Sequence, residues 1–303
     1  MSGLPFFSIV IPTYARPAQL AVCLRSLQRL DYPRDRFEAI VVDDGDSAAL
    51  DSVVAPFSEQ LPVIVLRQAH AGPATARNTG VARARGQFLA FTDDDCTPAP
   101  GWLRTLAARF AAAPTNAIAG QTFNALPNNL YAAASQLFVS FLTSLLNTAP
   151  NHSGFWTTSN LALPADAFRV LGGFNPTLPF AGGEDWELCL RWLAKGYRVC
   201  YAPEVVVYHA HHMNFRTFWL QHFHYGRGKF RVQRLRAQDN WELRKRGVLS
   251  AGRQLLLYLC QHAPLWQVPL LVGLLAVTRV ACAAGVFWEK QQPNQEAAQS
   301  LSS

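Results

Sequence analysis

The sequence predicts an α/β fold built on a mostly parallel central sheet flanked by helices, and three observations lead there. Short apolar runs (Phe6 to Ile11, Phe37 to Val42, Val63 to Leu66 and Gln87 to Phe91) alternate with segments that carry apolar residues at helical spacing, which makes βαβ units. Polar or acidic clusters follow these runs repeatedly, at the carboxyl ends of strands, where open α/β sheets bind ligands. Hydrophobic residues make up 50% of the 303-residue chain, so a substantial core is available.

In chain order, the first run is stopped by Pro12, and Pro17 to Leu30 carries Leu20, Leu24, Leu27 and Leu30 as an amphipathic helix. Pro73 to Ala84 reads as the next helix. From Asn116 onward the pattern loosens. Ile118 to Phe123, Phe155 to Leu163, Arg198 to Tyr201 and Val205 to Tyr208 read as strands, the last ending at His209. Asn129 to Leu146 reads as a long apolar helix, and Glu184-Asp185 opens another that carries Leu188, Leu190, Trp192 and Leu193. The boundaries divide the chain into a domain with halves 1–115 and 116–212, a basic then apolar helical segment 213–290, and a polar tail 291–303.

The six cysteines are scattered with no Cys-x-x-Cys pair, which argues against a zinc module or a disulfide framework and suits a reducing compartment. Met1 to Phe7 lacks the basic and apolar regions of a signal peptide, so the catalytic part is expected on the cytoplasmic side. A net charge of +7 and a pI near 9.3 call for an anionic partner. Lys and Arg cluster from Arg227 to Arg246, and apolar stretches follow from Leu255 to Cys260 and from Leu265 to Trp288. Basic followed by apolar points to a membrane surface and away from nucleic acid. Gln267, Pro269 and Arg279 interrupt the second stretch, leaving two readings: a helical hairpin dipping into or crossing the bilayer, or a soluble helical pair packed on the domain.

The chemistry centres on Thr92-Asp93-Asp94-Asp95-Cys96. Three consecutive acids at the end of a buried strand repel one another, and a hard dication, Mg²⁺ or Mn²⁺, would relieve that repulsion. A solvated acidic loop or a helix cap before Trp102 is the plainer alternative. Asp44 can accept the imide N–H of a uracil-type base, or serve turn chemistry before Gly45. Thr13, Tyr14 and Arg16 are placed to line a base and ribose, and Arg77 to reach a diphosphate unless it is a surface cation. Trp156 and Asn160, before Gly172-Gly173-Phe174, are candidates for an acceptor pocket, although a strand Trp is usually core.

Taken in order, Ser8 to Pro17, Val41-Val42-Asp43-Asp44-Gly45, Ala76-Arg77-Asn78-x-Gly80, Thr92-Asp93-Asp94-Asp95, Gly172-Gly173-Phe174 and Gly183-Glu184-Asp185-x-Glu187-Leu188 resemble the inverting glycosyltransferases of family 2 over about Phe6 to His209. That resemblance implies the GT-A fold, with 1–115 as the nucleotide-sugar half and 116–212 as the acceptor half. It implies donor contacts from Pro12, Thr13, Tyr14, Arg16, Asp44, Arg77, Asn78, Asp93 and Asp94. Asp93 lies near the ribose, Asp95 coordinates the metal with Asp93, and His209 is a candidate third ligand. Glu184-Asp185 is similar to the family's catalytic acid pair, with Asp185 as general base and Glu184 beside it, although a helix N-terminus favours acids in any case. Gly173 joins Trp156 and Asn160 on the acceptor side.

The activity implied is metal-dependent transfer of a sugar from a nucleotide donor, expected to be uridine-linked, to a lipid-linked or surface-glycan acceptor at the cytoplasmic face of a membrane. Gln221 to Arg227 falls where processive synthases of the family carry Gln-x-x-Arg-Trp, and the missing Arg-Trp favours transfer of a single sugar. A nucleotidyltransferase would need a glycine-rich loop that Pro12 to Pro17 lacks. A catalytically inactive, membrane-tethered binding protein would leave the acids without purpose.

Overall fold

β1 (Phe7–Thr13) forms the middle of the parallel part of the sheet because Ile9 and Ile11 face one core layer while Val10 faces the other, all three fully buried. The computed structural model describes residues 3–45, 50–146, 155–237 and 248–292. β1 pairs in parallel with β2 (Phe37–Asp43), and β2 in parallel with β3 (Val63–Arg67). On its other side β1 pairs in parallel with β4 (Phe88–Phe91). α1 (Pro17–Leu27), α2 (Leu50–Val54) and α3 (Pro73–Arg83) connect these strands.

Pro12 does not stop β1. Val10 O accepts from Thr92 N and Thr13 O from Asp44 N, so alternate residues face opposite neighbours and Pro12 faces the β4 side. Pairing with β4 ends at Val10↔Phe91, so the missing proline N–H costs no ladder bond.

The second half contributes β5 (Cys96–Pro98), α4 (Trp102–Ala112), β6 (Ala117–Asn124), α5 (Leu130–Leu146), β7 (Leu161–Pro164), α6 (Ala165–Leu171), α7 (Glu184–Ala194) and β8 (Val199–His209). The eight strands form one mixed sheet in the order β3-β2-β1-β4-β7-β6-β8-β5. Four neighbouring pairs are parallel and three, those of β7 with β4 and β6 and of β5 with β8, antiparallel. α1 and α4 cover one face through Leu20, Leu24, Trp102 and Phe110; α3, α6 and α7 cover the other through Ala76, Phe168 and Trp192.

Three local expectations change. The two short strands read at Arg198 to Tyr201 and Val205 to Tyr208 are one strand, whose register jumps from Gly120↔Ala202 to Gln121↔Val206; Pro203 falls in that bulge, where its missing N–H is tolerated. The strand expected over Phe155 to Leu163 is confined to β7, because Thr158–Asn160 form a 3₁₀ turn and the Thr158 N–H is given to Asp185. The three-residue strand β5 (Cys96–Pro98), directly after the acids, is one that the sequence did not suggest.

α8 (Phe215–Ala237), α9 (Val248–His262) and α10 (Val268–Gln291) complete the described chain. α10 runs alongside α8 in the same direction: Cys282 Sγ contacts His222 O, and further along Glu289 accepts from Arg227 and Arg231. The segment Leu265–Gln291 is the one helix among the described residues long and apolar enough to cross a membrane. Its inner side, including Leu271, Leu275 and Ala281, is buried, while Leu265, Trp266, Leu270, Phe287 and Trp288 are exposed. Arg244, Lys245 and Arg246 of the basic cluster, and the tail from residue 293, lie outside the described residues.

Candidate active site

The antiparallel register of β5 on β8 sets Cys96 opposite His209, and Ala210 N donates to Asp95 O at 2.8 Å. This pairing brings two residues more than a hundred positions apart side by side, and His209 Nε2 lies 3.0 Å from Asp95 Oδ1. Asp95 Oδ1 is buried and receives no aligned hydrogen bond, so the two atoms face each other as a pair of ligands would. Cys96 Sγ lies within 4.8 Å of the same ligand atoms, but it is fully buried and burial pushes its thiol well up. A carboxylate oxygen and an imidazole are the ligands offered to a hard dication here.

Electrostatics favour charge at Asp95 and disfavour it at Asp94. Burial opposes ionisation of Asp95, but the charge and hydrogen-bonding capacity of His209 hold its carboxyl well below the usual range. Burial raises Asp94 to about 6 despite the nearby Arg16 guanidinium. Thr13 Oγ1 donates to Asp94 at 2.8 Å, and Arg16 Nη1 reaches Asp94 at 3.3 Å and Asp95 at 3.2 Å. Thr13 and Arg16 thus tie the end of β1 to the acids after β4.

Arg77 of α3 is 4% exposed and bridges the two acidic motifs. Its Nη2 donates to Asp93 at 2.8 Å and its Nη1 to Glu184 at 3.2 Å. Burial works against its charge, but Asp93, Asp185 and Glu184 together raise its pKa further, so it stays a guanidinium. Glu184 also accepts from Gly182 N at 2.7 Å. Asp185 next to it accepts from Thr158 N and Thr158 Oγ1, both at 3.1 Å. Burial first, then the Glu184 carboxylate, push the Asp185 carboxyl well above its ordinary range.

Tyr14 is exposed and stacks on His70 with ring centroids 4.2 Å apart. Asp44 is buried beneath them and accepts from Gln68 Nε2 at 2.7 Å, Ala71 N at 2.8 Å and Gly72 N at 2.9 Å, with His70 Nδ1 at 3.0 Å. Those contacts use most of a carboxylate's roughly four acceptor positions. Pro12 lies in β1 directly below this group.

The remaining sequence candidates are structurally engaged. Asn78 donates from Nδ2 to Phe174 O and accepts at Oδ1 from Phe174 N, both at 2.8 Å. Gly173, at φ 74°, packs against that amide, where a Cβ would meet Asn78 Oδ1 at 2.6 Å. Asn160 gives both Nδ2 hydrogens to Gln121 O and Val205 O and accepts from Trp102 Nε1, pinning the bulge of β8. Trp156 is buried, with no partner for its Nε1 among the described residues.

Sequence reasoning passed over Gln68 and His70, although they sit in the loop after a predicted strand, where the rule for α/β sheets would have pointed. It also passed over Thr158, whose contact with Asp185 spans 27 positions and leaves no local pattern.

The family model for glycosyl transferase family 2 matches residues 8–170, more than half of the chain. The chain belongs to glycosyltransferase family 2. A second model, described as the N-terminal domain of galactosyltransferase, matches residues 145–213. The chain is 27% identical over 233 residues to glycosyltransferase AglE of Haloferax volcanii, covering 76% of this chain and 75% of the relative. It is 30% identical over 224 residues to a pre-mycofactocin glycosyltransferase of Mycobacterium tuberculosis, spanning 46% of that longer protein. Among solved structures, the mannosyltransferase of Pyrobaculum calidifontis in complex with GDP-Man and Mn²⁺ superposes with a TM-score of 0.68 at 20% identity, covering 96% of this chain and 89% of the other. S. aureus TarS with UDP-GlcNAc superposes with a TM-score of 0.56 at 17% identity, covering 91% and 81%. The fold of this family 2 glycosyltransferase is therefore the GT-A fold expected from the sequence.

Proposed function

We propose that this glycosyltransferase transfers one sugar, with inversion, from a nucleoside diphosphate donor to a hydroxyl of a lipid-linked or surface-glycan acceptor. The observation that carries this reading is the Arg77 bridge, which draws the acids at the end of β4 and the acid pair opening α7 into one cleft.

Asp95 and His209 are the residues that would hold a divalent cation, Mg²⁺ or Mn²⁺; Asp93, held by Arg77, would have to exchange that contact to join them. Such an ion supplies charge neutralisation to the departing diphosphate. Arg77 remains a fixed cation behind that position, and Arg16, nearly half exposed, can swing from the acids onto a phosphate. The Tyr14 and His70 rings offer a stacking platform for the base, and Asp44 keeps the His70 loop in place beneath it. A uracil imide N–H would take the place of His70 Nδ1 at Asp44 Oδ2, and on that exchange uridine is the nucleoside of this reading.

Asp185 acts as the general base. A sugar hydroxyl is a weak nucleophile, and a carboxylate with a raised pKa takes its proton more effectively as the new glycosidic bond forms. Thr158 orients both Asp185 oxygens, which selects one face of the carboxylate for the acceptor. The exposed apolar residues of α9 and α10, with the basic cluster of the sequence, support attachment to an anionic membrane surface on the cytoplasmic side.

A thermal-shift comparison of UDP, GDP and their sugars with and without Mn²⁺ tests the donor and metal assignments. Stabilisation by UDP that requires Mn²⁺ and disappears in Asp95→Asn supports them. Equal stabilisation with and without the cation, or by GDP alone, overturns the corresponding part. Transfer at the wild-type rate by Asp185→Asn overturns the base.

A further inference from the structure

The geometry points to a second ligand site, a subsite for an uncharged sugar unit of the acceptor, in the cavity enclosed by α5, β6 and α9. It rests on the reading above and goes beyond it by placing the acceptor. The cavity measures about 110 Å³, several times the ~30 Å³ share of one water, and sits beside the Gly120 to Thr122 segment of β6.

Its lining is chemically selective. Gln121, Gln136, Ser140, Thr143, Tyr201 and Tyr258 supply hydroxyls and amides, and no Asp, Glu, Lys, Arg or His contributes. Neutral groups that both donate and accept, next to aromatic rings, match a ring of sugar hydroxyls; a phosphate or carboxylate would find no counter-charge. Trp156, 2% exposed, adds an indole ring to the wall.

Position adds the second support. Thr157 forms part of the wall, and the next residue, Thr158, holds Asp185 through its N–H and its hydroxyl. A sugar in the cavity is therefore one residue away from the general base. Tyr258 belongs to α9, so the cavity lies on the seam between the catalytic domain and the apolar C-terminal helices. An acceptor carried on a lipid would approach along that seam.

Saturation-transfer NMR with methyl α-D-glucoside, mannoside and galactoside, on the full chain with UDP and Mn²⁺, tests the site. At least one glycoside should bind at millimolar concentration. Tyr258→Phe, which removes a hydroxyl of the lining and keeps the ring, should weaken it roughly five-fold, the loss of one neutral hydrogen bond. Ser140→Leu, which fills the cavity with a branched side chain, should abolish it. Failure of all three glycosides to bind, or binding unchanged in Ser140→Leu, overturns the subsite. The UDP and Mn²⁺ thermal shift read on the same samples separates the two readings: glycoside binding lost with that shift intact concerns the cavity, whereas a shift missing from wild-type protein concerns the donor site.

Discussion

Arg77 and Glu184 stand 107 positions apart in the chain and meet at 3.2 Å, inside a cleft where the guanidinium also grips Asp93 at 2.8 Å. The arginine is a strut between the donor acids and the base-bearing helix, and its two Nη atoms do separate jobs. Replacing it with methionine leaves two carboxylates facing each other without a counter-charge, which costs about 3–5 kcal/mol for a buried pair broken on one side. Arg77→Lys keeps the charge on a single nitrogen and should recover part of that stability without restoring the transfer rate. Urea denaturation and initial-rate assays on both variants check these outcomes.

Asp185→Asn should lower the transfer kcat by roughly 10²–10⁴-fold, the usual contribution of a positioned base, while leaving the Kd for donor nucleotide unchanged. Isothermal titration beside steady-state kinetics separates the two. A parallel loss of donor affinity would mean that Asp185 serves the donor instead.

The raised pKa of Asp185 gives the pH dependence a definite sign. In its proposed role as base Asp185 works when ionised, so kcat should fall as pH drops through its folded-state pKa, and the acidic limb should lie above the ordinary carboxylate range. The Thr158 N–H donates to the carboxylate and holds that pKa down, and Thr158 Oγ1 is a second donor to the same group. Thr158→Val removes the second donor, so the limb should move to higher pH, with no matching shift in Thr157→Val. A pH profile of kcat reads both.

Glu289 of α10 accepts from Arg227 and Arg231 of α8, at 2.7 and 2.5 Å. These arginines lie over the Phe180 ring at 4.3 and 5.1 Å, and Arg231 also donates to Thr177 O. Gly228 packs so closely on the loop before Asp185 that a Cβ there would lie 1.7 Å from Gly182 O. Glu289→Gln should therefore reduce kcat more than it changes donor KM, and Gly228→Ala should do so more severely because backbone meets backbone. Kinetics with thermal melting of both variants check that the effect is positional.

Much of this was legible in the sequence, for physical reasons that differ by region. The donor side is built from parallel strands buried on both faces, so apolar runs such as Phe88 to Phe91 announce themselves, and the acids after them mark the carboxyl edge. Beyond residue 116 the sheet turns mixed. Pro203 hides the continuity of β8, and three-residue β5 is too short to show a period. The family resemblance grouped Asp95 with His209 as candidate ligands, but the strand pairing that sets them side by side follows from that short strand and has no signal in residue spacing. The roles of Asn78 and Asn160 were equally hidden, because an amide that satisfies distant backbone looks the same in a sequence as one that awaits a ligand.

The register of β5 on β8 also bears on vectorial synthesis. The chain leaves the ribosome with the Asp95 carboxylate more than a hundred residues ahead of His209, so the nascent protein can close its first four strands while that carboxylate still lacks its imidazole neighbour. Maturation of the proposed cation site thus waits for one of the last strand pairings to form, and a polypeptide released early would expose the acids but could not bring the imidazole to them.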